Sequence, residues 1–268
     1  MFKLALCQMK GSFDKNESRK NAEKFIREAA ANGAQVISLP EMWNCPYSND
    51  YFREYAETAD GPTVKFMSGL AKELGVYLIG GSIPELDDDN VYNTSFSFDK
   101  EGTVIGRHRK VHLFDIDVKG GIRFMESDTL TAGKELTVLD TEFGKIGVAI
   151  CYDVRFPEWH RKMALTGAKL IVLPAAFNMT TGPVHWDLTM RARALDNQVY
   201  FAANSPARDE DGPYVAYGNS CISDPWGNFI AHADEKECIL YGEIDFDHVD
   251  DIRQQLPLLK HRREGLYR

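Results

Sequence analysis

Short apolar runs rich in β-branched residues alternate along the chain with amphipathic stretches, a pattern that predicts strands interleaved with helices. FKLALCQM (2–9) predicts a strand, RKNAEKFIREAAANG (19–33) a helix closed by Gly33, and AQVISLP (34–40) the next strand. VKFMSGLAKELG (64–75) then reads as a helix and VYLIGGSI (76–83) as a strand. VYNTSFSFD (91–99) and GTVIGRHRK (102–110) read as two strands joined at Lys100, Glu101 and Gly102. The acidic cluster Asp87, Asp88, Asp89, Asn90 lacks the spaced ligands and closing glutamate of a calcium loop and reads as a solvated turn.

The second half restarts the same theme. GAKLIVLPA (167–175) repeats GAQVISLPE (33–41) with Gly, Ala, Ile, Leu and Pro in register, and GKIGVAICYD (144–153) matches the opening strand in character. A duplicated strand-helix-strand unit of this kind predicts an α/β fold, a four-layer αββα sandwich with an internal pseudo-twofold repeat, in which strand ends from both halves meet. The segment from 106 to 133 is expected to be a long crossing loop, and loops of that length are often functional. No low-complexity linker or shift of composition marks a boundary, so residues 1–268 are expected to form one domain.

Composition narrows the partners. A formal net charge of −9 over 268 residues argues against nucleic acid, whose affinity comes mainly from basic side chains that neutralise phosphates. The N-terminal apolar stretch is too short, and too soon interrupted by charge, for a signal peptide or a membrane span. The five cysteines are dispersed and unpaired by any CxxC spacing. The expectation is a cytoplasmic protein with free thiols and no membrane contact.

Three places hold candidate chemistry. Glu41 ends an apolar strand where the repeat has Ala175, so the fold motif does not require the carboxylate; capping or pairing with a surface base is the alternative reading. Cys151 ends another apolar run in IGVAICYDVRFPE and passes at once into polar residues. If Pro157 opens a following helix, a strand-turn-helix carries the thiol near free backbone N–H donors. The remaining cysteines read as inert buried thiols, with Cys45 open to either reading. GRHRKVHLFD gathers Arg107, Arg109 and Lys110, and its His108 and His112 have a spacing that binds metal only on a helix. His185 is a possible partner for a cysteine, although a histidine at a helix start beside Trp186 more often packs or caps. Arg191, Arg193 and Trp226 read as structural.

LPEMW around Glu41, GRHRKVHLFD around Lys110 and AICYDVRFPE around Cys151 resemble, in order and approximate spacing, the Glu-Lys-Cys segments of the nitrilase superfamily of carbon–nitrogen hydrolases. The resemblance extends over nearly the whole chain, through RARALDNQ, YGNS and DPWG. Nitrile-hydrolysing members typically follow the cysteine with Trp-Glu, whereas Tyr152 and Asp153 stand here, which favours an amidase. HLFDIDVKGGIRFMES, AAFNMTTGPVHWDL and IRQQLP look especially like the omega-amidases, which act on 2-oxoglutaramate and 2-oxosuccinamate. RFPE is also similar to the deaminated-glutathione amidases.

The resemblance implies Cys151 as nucleophile, Glu41 as proton shuttle, Lys110 with the Tyr152 backbone N–H as oxyanion partners, and Glu126 as the second glutamate, orienting Lys110 or the amide. It also implies Arg155 as the anchor for a substrate carboxylate, because a guanidinium holds a carboxylate with two hydrogen bonds. Phe177 and Thr181 would complete the pocket. No cofactor and no metal are implied, and family members commonly form homodimers or larger assemblies, with the tail DIRQQLPLLKHRREGLYR within reach of a neighbouring subunit. Two alternatives remain beside this reading: metal-assisted hydrolysis through His108 and His112, and a ligand-binding protein on the same scaffold.

Overall fold

The computed structural model describes residues 1–267. In chain order the elements are β1 (Phe2–Gln8), α1 (Lys15–Ala31), β2 (Val36–Ser38), α2 (Asn49–Tyr55), α3 (Pro62–Leu74), β3 (Tyr77–Ile79), β4 (Ile83–Asp87), β5 (Asn90–Phe98), β6 (Val104–Arg109), β7 (Asp115–Asp117) and β8 (Arg123–Met125). The second half continues with β9 (Thr137–Thr141), β10 (Gly144–Val148), α4 (Pro157–Leu165), β11 (Leu170–Pro174), α5 (Gly182–Asn197), β12 (Tyr200–Asn204), β13 (Cys221–Ser223), β14 (Phe229–His232), β15 (Cys238–Ile244) and α6 (Phe246–Gln255).

Alternation along each strand builds the layers. Leu4 and Leu6 of β1, Val36 of β2, Ile146 and Val148 of β10, and Leu170 and Val172 of β11 form one buried cluster between two sheets. The other faces of the same strands, Ala5 and Cys7 in β1 and Ile37 in β2, pack under Phe25 and Ile26 of α1 and Met67 of α3. On the far side Ile171 and Leu173 of β11 pack under Met163 of α4 and Trp186 and Met190 of α5. The result is the expected αββα order.

The repeat is visible in strand pairing. The first sheet runs β15-β1-β2-β3-β5-β4 with β6 beside β5, and the second runs β14-β13-β12-β11-β10-β9. Leu4 pairs with Val36 and Val36 with Tyr77 in parallel ladders of the first sheet; Ile146 pairs with Leu170 and Leu170 with Tyr200 in the second. The two halves therefore share one register, with Leu4 equivalent to Ile146 and Val36 to Leu170.

Three boundaries differ from expectation. Helix α1 begins a turn earlier, at Lys15, because the Asp14 side chain accepts the Asn16 N–H at 2.7 Å and caps it. The strand read over 76–83 is broken after Ile79: Gly81 has φ +61°, and a Cβ there would run into the Pro40 carbonyl. The segment 106–133 is not an open loop, since β6 occupies its start and β7 and β8 pair as a small antiparallel hairpin. Asp88, with φ +52°, turns the β4–β5 hairpin as read from the acidic cluster. No described helix is long and apolar enough to cross a membrane.

Leu170 is fully buried between the sheets. Leu170→Ala is expected to destabilise the protein by about 2–5 kcal/mol through lost transfer free energy and a residual cavity, read as a lower denaturant midpoint with unchanged slope.

Candidate active site

Cys151 lies just beyond β10, at the first position of a 3₁₀ turn (Cys151–Arg155) that leads directly into α4, with Pro157 at the helix start. Its φ is +42°, a left-handed conformation that costs a non-glycine residue on the order of 1–3 kcal/mol. The turn's first internal bond runs from Asp153 N–H to the Ile150 carbonyl, so the Cys151 and Tyr152 N–H groups precede it and are not claimed by the turn.

Asp153 holds this conformation. Its fully buried carboxylate accepts the Ile150 N–H at 3.0 Å and a His108 ring N–H at 3.0 Å through Oδ2. Through Oδ1 it accepts the backbone and ring N–H groups of His112 at 2.9 and 2.8 Å. Burial alone would raise the pKa of Asp153, but the bonds from His108 and His112 outweigh it and hold the carboxyl well below the usual carboxylate range. His108 lies in β6 and His112 beyond it, so no helix presents them together, and both imidazoles face Asp153. Among the described residues no group of three or more potential ligands gathers as for a metal ion.

Lys110 stands between these histidines, where its N–H bonds the Asn93 carbonyl and its own carbonyl accepts Gly133 N–H, both at 2.8 Å. Its ammonium is fully buried, 3.0 Å from Glu41 Oε1 and 2.8 Å from Glu126 Oε1. Burial disfavours this charge, but Glu126 and Glu41 more than compensate and hold the ammonium pKa above its ordinary value.

Glu41 follows β2 in a turn whose next residue, Met42, has φ +51°. Its Oε1 accepts Asn93 Nδ2 at 2.9 Å and Tyr47 OH at 3.3 Å, and its Oε2 accepts the Ala176 N–H at 2.7 Å. That last bond crosses from one half of the fold to the other, at the residue after the repeat's Ala175. Glu126 opens a short 3₁₀ turn after β8; it accepts Tyr47 OH at 2.7 Å and Phe114 N–H at 2.7 Å. Burial raises the Cys151 thiol well above the ordinary thiol range and Glu41 adds to the effect, against the pull of Lys110. The other cysteines are free thiols too; burial raises Cys7, Cys45 and Cys221 strongly, and no ammonium stands beside Cys7 or Cys221.

The remaining expected residues surround the 151–155 turn. The Arg155 guanidinium lies 4.9 Å from the Phe177 ring and 5.8 Å from that of Tyr152, and donates to His185 Nδ1 at 3.3 Å. Among the described residues no carboxylate pairs with it within 4.0 Å. Phe177 is both floor and core, since its ring also packs on Trp186 at 5.1 Å. Thr181 donates its hydroxyl to Asn178 Oδ1 at 3.2 Å, and it is the buried Nδ2 of Asn178 that lacks an acceptor among the described residues. Arg193 ties α5 to the 151–155 turn through the Val154 carbonyl at 2.7 Å, a structural role, whereas Trp226 is half exposed.

Sequence reading thus brought Glu41, Lys110, Glu126 and Cys151 to one place and missed Asp153, Asn93, Tyr47 and Asn178. The polar run after Cys151 was the available signal for Asp153; the others have no local signature.

A family model for carbon–nitrogen hydrolases matches residues 3–254. The omega-amidase NIT2-A of Xenopus laevis is 52% identical over 266 residues, covering 99% of this chain and 96% of that protein. The omega-amidase NIT2 of Homo sapiens is 48% identical with the same coverage. The crystal structure of Saccharomyces cerevisiae Nit3, described as a member of branch 10 of the nitrilase superfamily, superimposes with a TM-score of 0.91 at 44% identity, covering 98% of this chain and 96% of that one. By sequence, by fold and by the residues gathered around Cys151, the chain belongs to the carbon–nitrogen hydrolase family.

Proposed function

We propose that the protein is an omega-amidase. It hydrolyses the terminal carboxamide of a small 2-oxo dicarboxylic acid monoamide, such as 2-oxoglutaramate or 2-oxosuccinamate, to the acid and ammonia through a thioester on Cys151. The observation that carries this reading is a buried thiol under the influence of Glu41 and Lys110, with a guanidinium on the same turn that no carboxylate among the described residues pairs with. The similarity to named omega-amidases over nearly the full length supports the substrate class. Residues 1–268 are read as one hydrolase domain, and self-association is part of the proposal, supported by Val184 and Leu188 standing exposed on α5.

In the proposed reaction the thiol attacks the amide carbon while Glu41 takes its proton and delivers it to the departing ammonia. Lys110 and the Tyr152 N–H receive the developing oxyanion, where one such donor is worth on the order of 3 kcal/mol. Water then adds to the thioester, Glu41 accepts its proton, and the acid leaves as the thiol re-forms. Glu126 and Tyr47 hold Lys110 in place, and Arg155 holds the distal carboxylate.

Cys151→Ala is expected to abolish ammonia release from 2-oxoglutaramate with the unfolding midpoint retained; turnover at the wild-type rate would remove the thioester from the mechanism. Wild-type kcat/KM should be higher for 2-oxoglutaramate than for deaminated glutathione. Arg155→Met should lower kcat/KM for 2-oxoglutaramate about 10²-fold, roughly the 2–3 kcal/mol of a lost charge-assisted pair. A neutral amide lacking the carboxylate should be affected far less by the same change, and equal losses on both would show that Arg155 only supports the fold.

The pH dependence follows from the direction of the thiol shift. With its pKa raised by burial, Cys151 gains no thiolate as pH passes the ordinary thiol value of about 8.5, and in the proposed attack its proton goes directly to Glu41. The kcat/KM profile is expected to show no ascending limb there. A rise centred near that value would mean that free thiolate is the reactant.

A further inference from the structure

The shared register of the two halves gives the Cys151 site a counterpart. Since Leu4 is equivalent to Ile146 and Val36 to Leu170, counting along each chain segment puts Met9 opposite Cys151, Phe13 opposite Arg155 and Trp43 opposite Phe177. These three residues line one cavity of about 110 Å³, together with Glu41, Ala176 and Tyr214. Its mouth lies between the 10–13 segment and the 206–214 segment; Cys151 and Arg155 are not in its walls. Glu41 is thus in the wall of this cavity, while the thiol and the guanidinium lie outside it.

The exchange of residues between the two halves decides what the cavity can hold. Methionine replaces the nucleophile and phenylalanine the guanidinium, so no acyl group can form there and no carboxylate is anchored. The cation at the rim, Lys10, is tied to Asp209 at 3.0 Å. Met9, Met42 and Trp43 make the interior largely apolar, and the volume accommodates several water molecules, each occupying roughly 30 Å³ in the liquid. A small neutral molecule moving to or from a carboxylate fits this environment; a dicarboxylic acid does not.

We propose that this cavity is the passage through which ammonia is exchanged for the hydrolytic water at Glu41 while the acyl group still occupies the Cys151 side. The inference rests on the amide-hydrolysis reading. In that reaction the C–N bond breaks and the thiol proton, relayed by Glu41, leaves on ammonia. Water then gives one proton to Glu41 as its oxygen bonds the thioester carbon, the C–S bond breaks, and the proton returns to sulfur. Each turnover therefore sends one neutral molecule away from Glu41 and brings another in, at the stage when the covalent acyl chain, held at Arg155, fills the other approach.

Two substitutions narrow the passage without touching the proposed reacting groups. Gly212 lines the mouth, and a Cβ there meets only Asp209, no closer than an ordinary contact distance of 3.4 Å, so Gly212→Phe can start its side chain without a backbone clash. Ala207→Leu fills the deeper part. Both are assayed with 2-oxoglutaramate after matching the wild-type unfolding midpoint, with mass spectrometry on acid-quenched steady-state samples. The expected result is a roughly tenfold fall in kcat with KM not raised, and a larger fraction of Cys151 carrying the acyl adduct. Unchanged kcat in both folded variants overturns the proposal. So does a raised KM, which makes the cavity the entrance for the amide, and so does a fall in kcat without adduct accumulation, which makes the effect structural. If the wild type releases no ammonia from the amide, the functional reading itself fails, independently of the passage.

Discussion

The site depends on a charge imbalance among buried side chains. Glu41 and Glu126 share one ammonium, Lys110, and all three side chains are fully buried. Taking a charge out of water costs several kcal/mol unless partners replace its hydration, and here every carboxylate oxygen has one. Glu41 is met by Lys110, Asn93 and the Ala176 N–H, and Glu126 by Lys110, Tyr47 and the Phe114 N–H. Burial first holds the Cys151 thiol above its ordinary pKa, and a thiolate there would also add a further anion beside Glu41 and Glu126, against the pull of Lys110. In the proposed reaction the proton would therefore move during bond formation rather than before it, and the oxyanion would meet an ammonium kept protonated by its neighbours.

The duplication explains how a carboxylate and a thiol from distant parts of the chain come to lie beside each other. In each half, parallel strands end at the same level, and the facing of the two sheets brings those ends together. One half contributes the carboxylate where the other has Ala175, and the second half contributes the thiol where the first has Met9. The bond from Ala176 N–H to Glu41 closes the arrangement, since it uses the backbone of one repeat to orient the side chain of the other. A symmetrical pair would have needed two thiols and two carboxylates; the asymmetry leaves one thiol–carboxylate pair, with the cavity lined by Met9 and Phe13 in place of the second.

Much of this was legible in the sequence because it is periodic or local. The layers follow from alternation in β1, β2, β10 and β11, and the repeat GAQVISLP against GAKLIVLP sets the equivalence of the strand ends. Glu41 and Cys151 stood out as residues that interrupt that pattern. The hairpin of β7 and β8 did not, because strands of three residues are too short to carry a period. The start of α1 was obscured by the polar first turn after Asp14. Asn93 lies in a strand and Tyr47 in a loop, and nothing around either announces a buried carboxylate. Their roles exist only once β5, the loop after Glu41 and the turn at Glu126 have closed on one another.

Asp153 shows how the strained turn and the lysine are kept in one geometry. The left-handed Cys151 is unfavourable on its own, and the cost is offset by a carboxylate that bonds Ile150 immediately before the cysteine. The same carboxylate bonds His108 and His112, two residues to either side of Lys110. One buried group therefore fixes the nucleophile turn and the lysine segment to each other, and a shift of either carries the other with it. A carboxyl whose pKa is depressed by folding contributes stability above the ordinary aspartate range, about pH 4, and loses it as pH falls through the folded value. At neutral pH and in mild acid Asp153 therefore stays ionised and keeps its bonds to Ile150, His108 and the His112 backbone, which hold the thiol turn and the ammonium segment at a fixed spacing.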